Sequence, residues 1–185
     1  MSAPPRRRPR TLAAAPKPPR AKRRDTGGAF QRAVFAALDD CVRDGVFVRW
    51  DHFGEETRRI AKGAVIVVGN APPDVIATTA QGFSYAAEVK HDGERVYVAT
   101  APKSSSHRAR VEPHQAEYLD SVAETEHGSA DLIVCVGGEV AVIPWLDVRR
   151  RPWLDRADVA AFAAADPEGA WFLAMVRRRM TVVGL

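Results

Sequence analysis

The sequence predicts an α/β domain over residues 27–185, with a mixed central β-sheet flanked by helices. Residues 1–26 are read as a disordered basic arm in front of it. Three observations lead there. Stretches with helical apolar spacing alternate with short apolar runs of strand length. Glycine and proline punctuate those runs. The first 24 residues hold nine basic side chains, no acid and almost no large apolar residue, so they cannot bury enough surface to fold.

In chain order, Asp25-Thr26 can cap a helix from about Ala29 to Arg43. Phe30, Val34, Leu38 and Cys41 repeat at helical spacing and give it one buried face. Gly45 stops it, and Val46-Phe47-Val48 begins an extended segment. Ala64 to Val68 reads as a strand ended by Gly69-Asn70 and Pro72-Pro73. Val75–Thr79 and Phe83–Lys90 form a hairpin turning at Gln81-Gly82, and Arg95–Thr100 is a further strand. Pro113, favoured in a first turn, opens a helix to about Glu126. Leu132–Val136 and Val140–Ile143 make a second hairpin around Gly137-Gly138. A helix from Asp155 to Ala165 and a segment through Trp171, Phe172 and Met175 complete the chain.

Composition narrows the function classes. Of 27 Lys and Arg, nine lie in the arm, leaving 18 against 23 Asp and Glu in the rest. The formal charge of +4 therefore belongs to the arm, which can bind phosphates without sequence preference. No apolar run reaches the roughly 18 residues of a membrane span, and no secretory signal opens the sequence, so no membrane partner is expected. Cys41 and Cys135 lack disulfide or zinc spacing; they read as core thiols of a cytoplasmic protein. No glycine-rich phosphate loop, nucleophile elbow or Cys/His pair supports a small-molecule enzyme.

One region carries chemistry. In a strand, side chains alternate between faces. Along Phe83–Lys90, Phe83, Tyr85, Ala87 and Val89 share an apolar face, and Ser84, Ala86, Glu88 and Lys90 share the other. Glu88 and Lys90 thus project together beside small neighbours. Asp74 precedes the partner strand, and the hairpin can return it to Glu88. Two carboxylates and an ammonium in one place suit a metal-bound phosphate: magnesium takes oxygen ligands and often only one or two carboxylates. In the following helix Gln115, Tyr118, Leu119 and Val122 form one stripe, so an amide leads an inward apolar face. His114 lies off that stripe.

Pro73-Asp74, a hairpin, then Glu88-Val89-Lys90, bracketed by helices, resembles the PD-(D/E)XK nuclease superfamily, and within it RecU-type Holliday junction resolvases. Pro102-Lys103-Ser104-Ser105 before Pro113-His114-Gln115, and Gly28-Ala29-Phe30-Gln31, carry the RecU-like part over roughly residues 27–148. The resemblance implies a restriction-endonuclease-like core in which Asp74, Glu88 and the Val89 carbonyl ligate Mg²⁺, with Mn²⁺ as substitute. Lys90 would orient the attacking water, and Gln115 would help position it or the scissile phosphate. Three departures stand out. Gln31 occupies the place of a family Glu, Ala64 to Asp74 is too short for the family's stalk, and Arg95–Thr100 intervenes before Lys103.

Lys103, Ser105, Arg108 and Arg110 form a polar loop suited to DNA phosphates. Arg149–Arg151 and Arg177–Arg179 read as solvated helix ends. The expected function is a Mg²⁺-dependent endonuclease cutting branched DNA, acting as a homodimer because two opposed cuts need two sites about a dyad. A restriction- or repair-type nuclease, or a non-catalytic DNA-binding protein on the same fold, are the alternatives.

Overall fold

The computed structural model describes residues 26–52, 57–59, 65–67, 72–99, 109–165 and 170–183. Helix α1 (Thr26–Arg43) is followed by β1 (Phe47–His52) and a short pair, β2 (Thr57–Arg59) and β3 (Val65–Val67). Next come β4 (Val75–Thr79), β5 (Ser84–Asp92) and β6 (Arg95–Tyr97). The second half runs α2 (Pro113–Ala123), β7 (Gly128–Val136), β8 (Glu139–Pro144), α3 (Trp145–Val148), β9 (Trp153–Asp155), α4 (Arg156–Ala165) and α5 (Ala170–Val183).

The central sheet has the order β1-β4-β5-β7-β8. It is mixed, as the α/β alternation predicts: β5 and β7 are parallel, and the other neighbours are antiparallel. The parallel step follows from connectivity. β4 and β5 are joined by a tight turn at Gly82 (φ +84°), a conformation other residues adopt only with strain. β5 reaches β7 through β6 and α2, a crossover long enough for a parallel return. Gly137 and Gly138, both at positive φ, turn β7 into β8.

Each sheet face has its own core. On one, Ala86, Leu132, Val134, Val136, Ala141 and Ile143 meet Leu119 of α2, Trp145 and Val148 of α3 and Val159 of α4. On the other, Val75, Ala87, Val89, Ile133 and Cys135 meet Phe30, Val34, Leu38 and Cys41 of α1 and Phe172, Leu173 and Val176 of α5. This double cover explains why Leu132–Val136 is buried at every position rather than at alternate ones. Both cysteines are free and buried, and burial pushes the Cys41 thiol up to about 11.

Some elements differ from the sequence-based expectation. β7 begins at Gly128, four residues before Leu132, because its start pairs with the start of β5 (Ser84 opposite Gly128), a parallel contact the residue pattern does not display. Arg95–Thr100 was expected as one strand. Arg95–Tyr97 forms it, paired with Trp153–Asp155 outside the central sheet. Thr100 and the ends of the expected strand Ala64–Val68 lie outside the described residues, as do residues 1–25 of the expected arm, among them the expected helix cap Asp25, whereas Thr26 is the first residue of α1.

Candidate active site

The site lies where β4 begins and β5 runs on alone. The last β4–β5 pair is Val75 opposite Ala87; one step further brings Asp74 opposite Glu88. Beyond that point the β4 edge of β5 has no ladder partner, and the Asp74 side chain takes the vacant place. Its Oδ2 accepts the Val89 N–H at 3.0 Å, while the Asp74 N–H donates to Glu88 Oε2 at 3.2 Å. The two carboxylates are thereby locked by reciprocal side chain–backbone bonds. A strand residue sends its N–H and C=O to the same edge, so the Val89 carbonyl also faces this gap.

Glu88 lies under α2 and is 0% exposed. Its Oε1 accepts the Gln115 Nε2 amide at 2.8 Å and pairs with Lys90 Nζ at 2.5 Å. Lys90 also donates to Gln115 Oε1 at 3.4 Å, and Gln115 Oε1 accepts the Glu112 N–H at 2.9 Å. The structure thus brings Asp74, Glu88, Lys90 and Gln115 into one hydrogen-bonded group, with Val89 on its edge. The group is more enclosed than the small neighbours of Glu88 suggest in sequence, because α2 covers the face they leave open. Burial pushes the Glu88 carboxyl up to about 7; Lys90 pulls it down and Asp74 pushes it further up. Desolvation wins because almost no water reaches the carboxylate.

Gln31 of α1 donates from Nε2 to Asp74 Oδ1 at 3.0 Å. In the sequence, Gln31 stands out only as a departure from a family pattern. A contact across 43 residues between a helix amide and a pre-strand carboxylate has no local signal.

Among the described residues no three or more His, Cys, Asp or Glu side chains are placed to share a metal ion. What the site offers is two carboxylates and a backbone carbonyl, all hard oxygen donors. That set fits one Mg²⁺ completed by water, since hard oxygen donors and one or two carboxylates are what this ion takes. It does not fit zinc, which favours nitrogen and sulfur.

Arg110 is exposed and pairs with Glu112, Nε to Oε1 at 2.6 Å. Lys103, Ser105 and Arg108 lie outside the described residues. His114 is half-buried. Of the arginine clusters, Arg149 is tied to Asp120 and Glu124, and Arg151 to Asp158. Trp145 is core, whereas Trp153 is exposed with Arg95 over its ring at 5.5 Å. A cavity of about 590 Å³ lies between Val98, Val111, Pro113, Asp120, Trp145 and Arg149, and neither Asp74 nor Glu88 lines it. The carboxylate group, not this cavity, carries the chemical argument, because the cavity has no buried reactive side chain.

No family model matches the chain, and no curated protein does. Among solved structures it is similar to Archaeoglobus fulgidus Hjc, a Holliday junction resolvase from an archaeal hyperthermophile. The identity is 17% and the TM-score 0.41, over 76% of this chain and 95% of that one. It is also similar to SSO0001, at 19% identity and a TM-score of 0.28, over 70% of this chain and 55% of that one. No described helix is long and apolar enough to cross a membrane.

Proposed function

We propose that the chain is a Mg²⁺-dependent DNA endonuclease of the PD-(D/E)XK type, resolvase-like in preferring branched DNA such as four-way junctions. The observation that supports it best is the fully buried Glu88, bonded to the Asp74 backbone, Lys90 and Gln115. A fold gains little from burying such a group, since desolvation offsets most of the attraction. Its placement makes sense as chemistry.

Asp74 and Glu88 would hold the ion, with the Val89 carbonyl completing the protein's share. Mg²⁺, or Mn²⁺ in its place, would neutralise phosphate charge and make bound water a better nucleophile. The residues do the rest. Lys90 holds its ammonium against Glu88 with 17% of its side chain exposed, and there it would contact a phosphate oxygen and orient the attacking water. Gln115 holds Lys90 and Glu88 at fixed separation, so that less is left to reorganise during the reaction. DNA would be drawn to the basic arm and to the segment containing Lys103, Ser105, Arg108 and Arg110. Two copies about a dyad would place two such sites on opposed strands of a junction. Buried free thiols accord with a reducing, cytoplasmic setting.

The test is incubation with a synthetic four-way junction and Mg²⁺. Cleavage is expected, absent with EDTA and in Asp74→Ala. Binding without cleavage under both Mg²⁺ and Mn²⁺ would replace this reading with a non-catalytic DNA-binding one, which Gln31 at Asp74 Oδ1 favours. Equal cutting of linear duplex and junction would retain the nuclease, as a restriction- or repair-type enzyme, and remove the resolvase.

A further inference from the structure

We infer that Glu112 is a positioning residue for the Gln115 amide, and that Arg110 is the strut that holds Glu112; this rests on the nuclease reading for its catalytic consequence. A carboxamide has an acceptor end and a donor end, and only one orientation suits a given surrounding. Around Gln115, 9% exposed, the donors Lys90 Nζ and the Glu112 N–H meet Oε1, while the Glu88 carboxylate meets Nε2. Rotated by half a turn, the amide would set its NH₂ against an ammonium and an N–H, and its oxygen against a carboxylate. The Glu88 carboxylate, 2.8 Å from Nε2, selects the amide's donor end. At the acceptor end Lys90 is the more distant of the two Oε1 donors, at 3.4 Å, and sits on a flexible stem, so the Glu112 N–H at 2.9 Å is the contact that holds Oε1.

That N–H is held in place by a capping box. Glu112 is the N-cap of α2, in extended conformation, and its carboxylate faces the Gln115 backbone N–H while the Gln115 side chain returns to the Glu112 N–H. Arg110, two residues earlier and bonded to the carboxylate at 2.6 Å, fixes Glu112 from the solvent side. The series Arg110, Glu112, Gln115, Glu88 therefore connects an exposed arginine to the buried carboxylate by contiguous hydrogen bonds of 2.6, 2.9 and 2.8 Å.

The experiment uses the full chain, Mg²⁺ and a four-way junction, with kcat and KM separated. Glu112→Ala is expected to lower kcat about tenfold with little change in KM, since a small misplacement of a group near the chemistry is enough for that. Glu112→Gln and Glu112→Ser, which keep an acceptor for the Gln115 N–H, are expected to restore most of it. In a Gln115→Ala background, Glu112→Ala should cause no further loss, as a residue acting only through Gln115 must. The second readout needs no activity: the Gln115 side-chain NH₂ resonances should shift in Glu112→Ala, and by less in Arg110→Ala. Independent, multiplying losses in the double variant, or Gln115 resonances unmoved by both substitutions, would overturn the inference. If the wild-type chain cuts no DNA, the nuclease reading fails, and the resonances still decide the role of Glu112.

Discussion

Helix α2 carries a polar cluster at each end, and the two differ in one respect, access to water. At its start, Gln115 meets Glu88 and Lys90, with Glu88 fully buried. Toward its end, Asp120 and Glu124 meet Arg149, and Asp120 also accepts the Trp145 indole N–H at 2.7 Å. Here the acids are 40% and 61% exposed. Counted as ion pairs the clusters look alike. Burial separates them: the first holds an acid pushed up to about 7, and the second joins α3 to α2 through groups that water already solvates. A buried charge that the fold does not need is a functional candidate, and an exposed one of similar geometry is a tie between helices.

This contrast can be broken most directly at Asp74. Asp74→Ala should reduce Mg²⁺-dependent cleavage on the order of a thousandfold, measured by single-turnover kinetics on the junction. Arg149→Ala should leave that rate unchanged. Equal losses would mean that the clusters are not functionally distinct.

The next largest effect concerns pH. Below pH 4.5 Glu88 is protonated folded and unfolded. Between pH 4.5 and about 7 only the unfolded chain releases its proton, so the metal-free fold should lose about 3 kcal/mol, and above pH 7 the loss levels off. Urea denaturation in EDTA should show this fall in the wild type and none of this component in Glu88→Gln. Parallel curves for the two proteins would show that Glu88 is not desolvated as the structure has it.

Lys90→Met should destabilise the metal-free protein by a further ~1–2 kcal/mol at pH 8. The effect is limited because Glu88 escapes an unpaired charge by keeping its proton, and it should grow with pH. The smallest change is expected for Arg149→Ala, whose midpoint in the same denaturation experiment should barely move. A larger shift there than in Lys90→Met at pH 8 would reverse the ranking that burial gives.

Much of the candidate site is legible in the sequence because it is local. Glu88 and Lys90 share a face through the two-residue period of a strand, and Asp74 returns to them through a hairpin whose turn at Gly82 is local as well. Gln115 was signalled by an amide heading an apolar helical stripe. Gln31 and Glu112 were not legible as partners. Gln31 meets Asp74 only because α1 packs on the face where β4 starts, and nothing in the wording of either segment reports that packing. Glu112 reads as an ordinary surface acid until the capping box and the Gln115 amide are seen together.

The sequence by itself determined the periodicities: which residues are apolar every second or every third to fourth position, where glycine permits a turn, and which acids and lysine ride together on one strand face. These are set by backbone geometry within about ten residues and need no distant partner. Only the tertiary structure decided that β5 runs parallel to β7, that α2 closes over Glu88, and that water is excluded there. Those outcomes depend on contacts between segments far apart in the chain. Desolvation, which turns an ordinary Glu into one pushed up to about 7, is a property of the surroundings rather than of the residue.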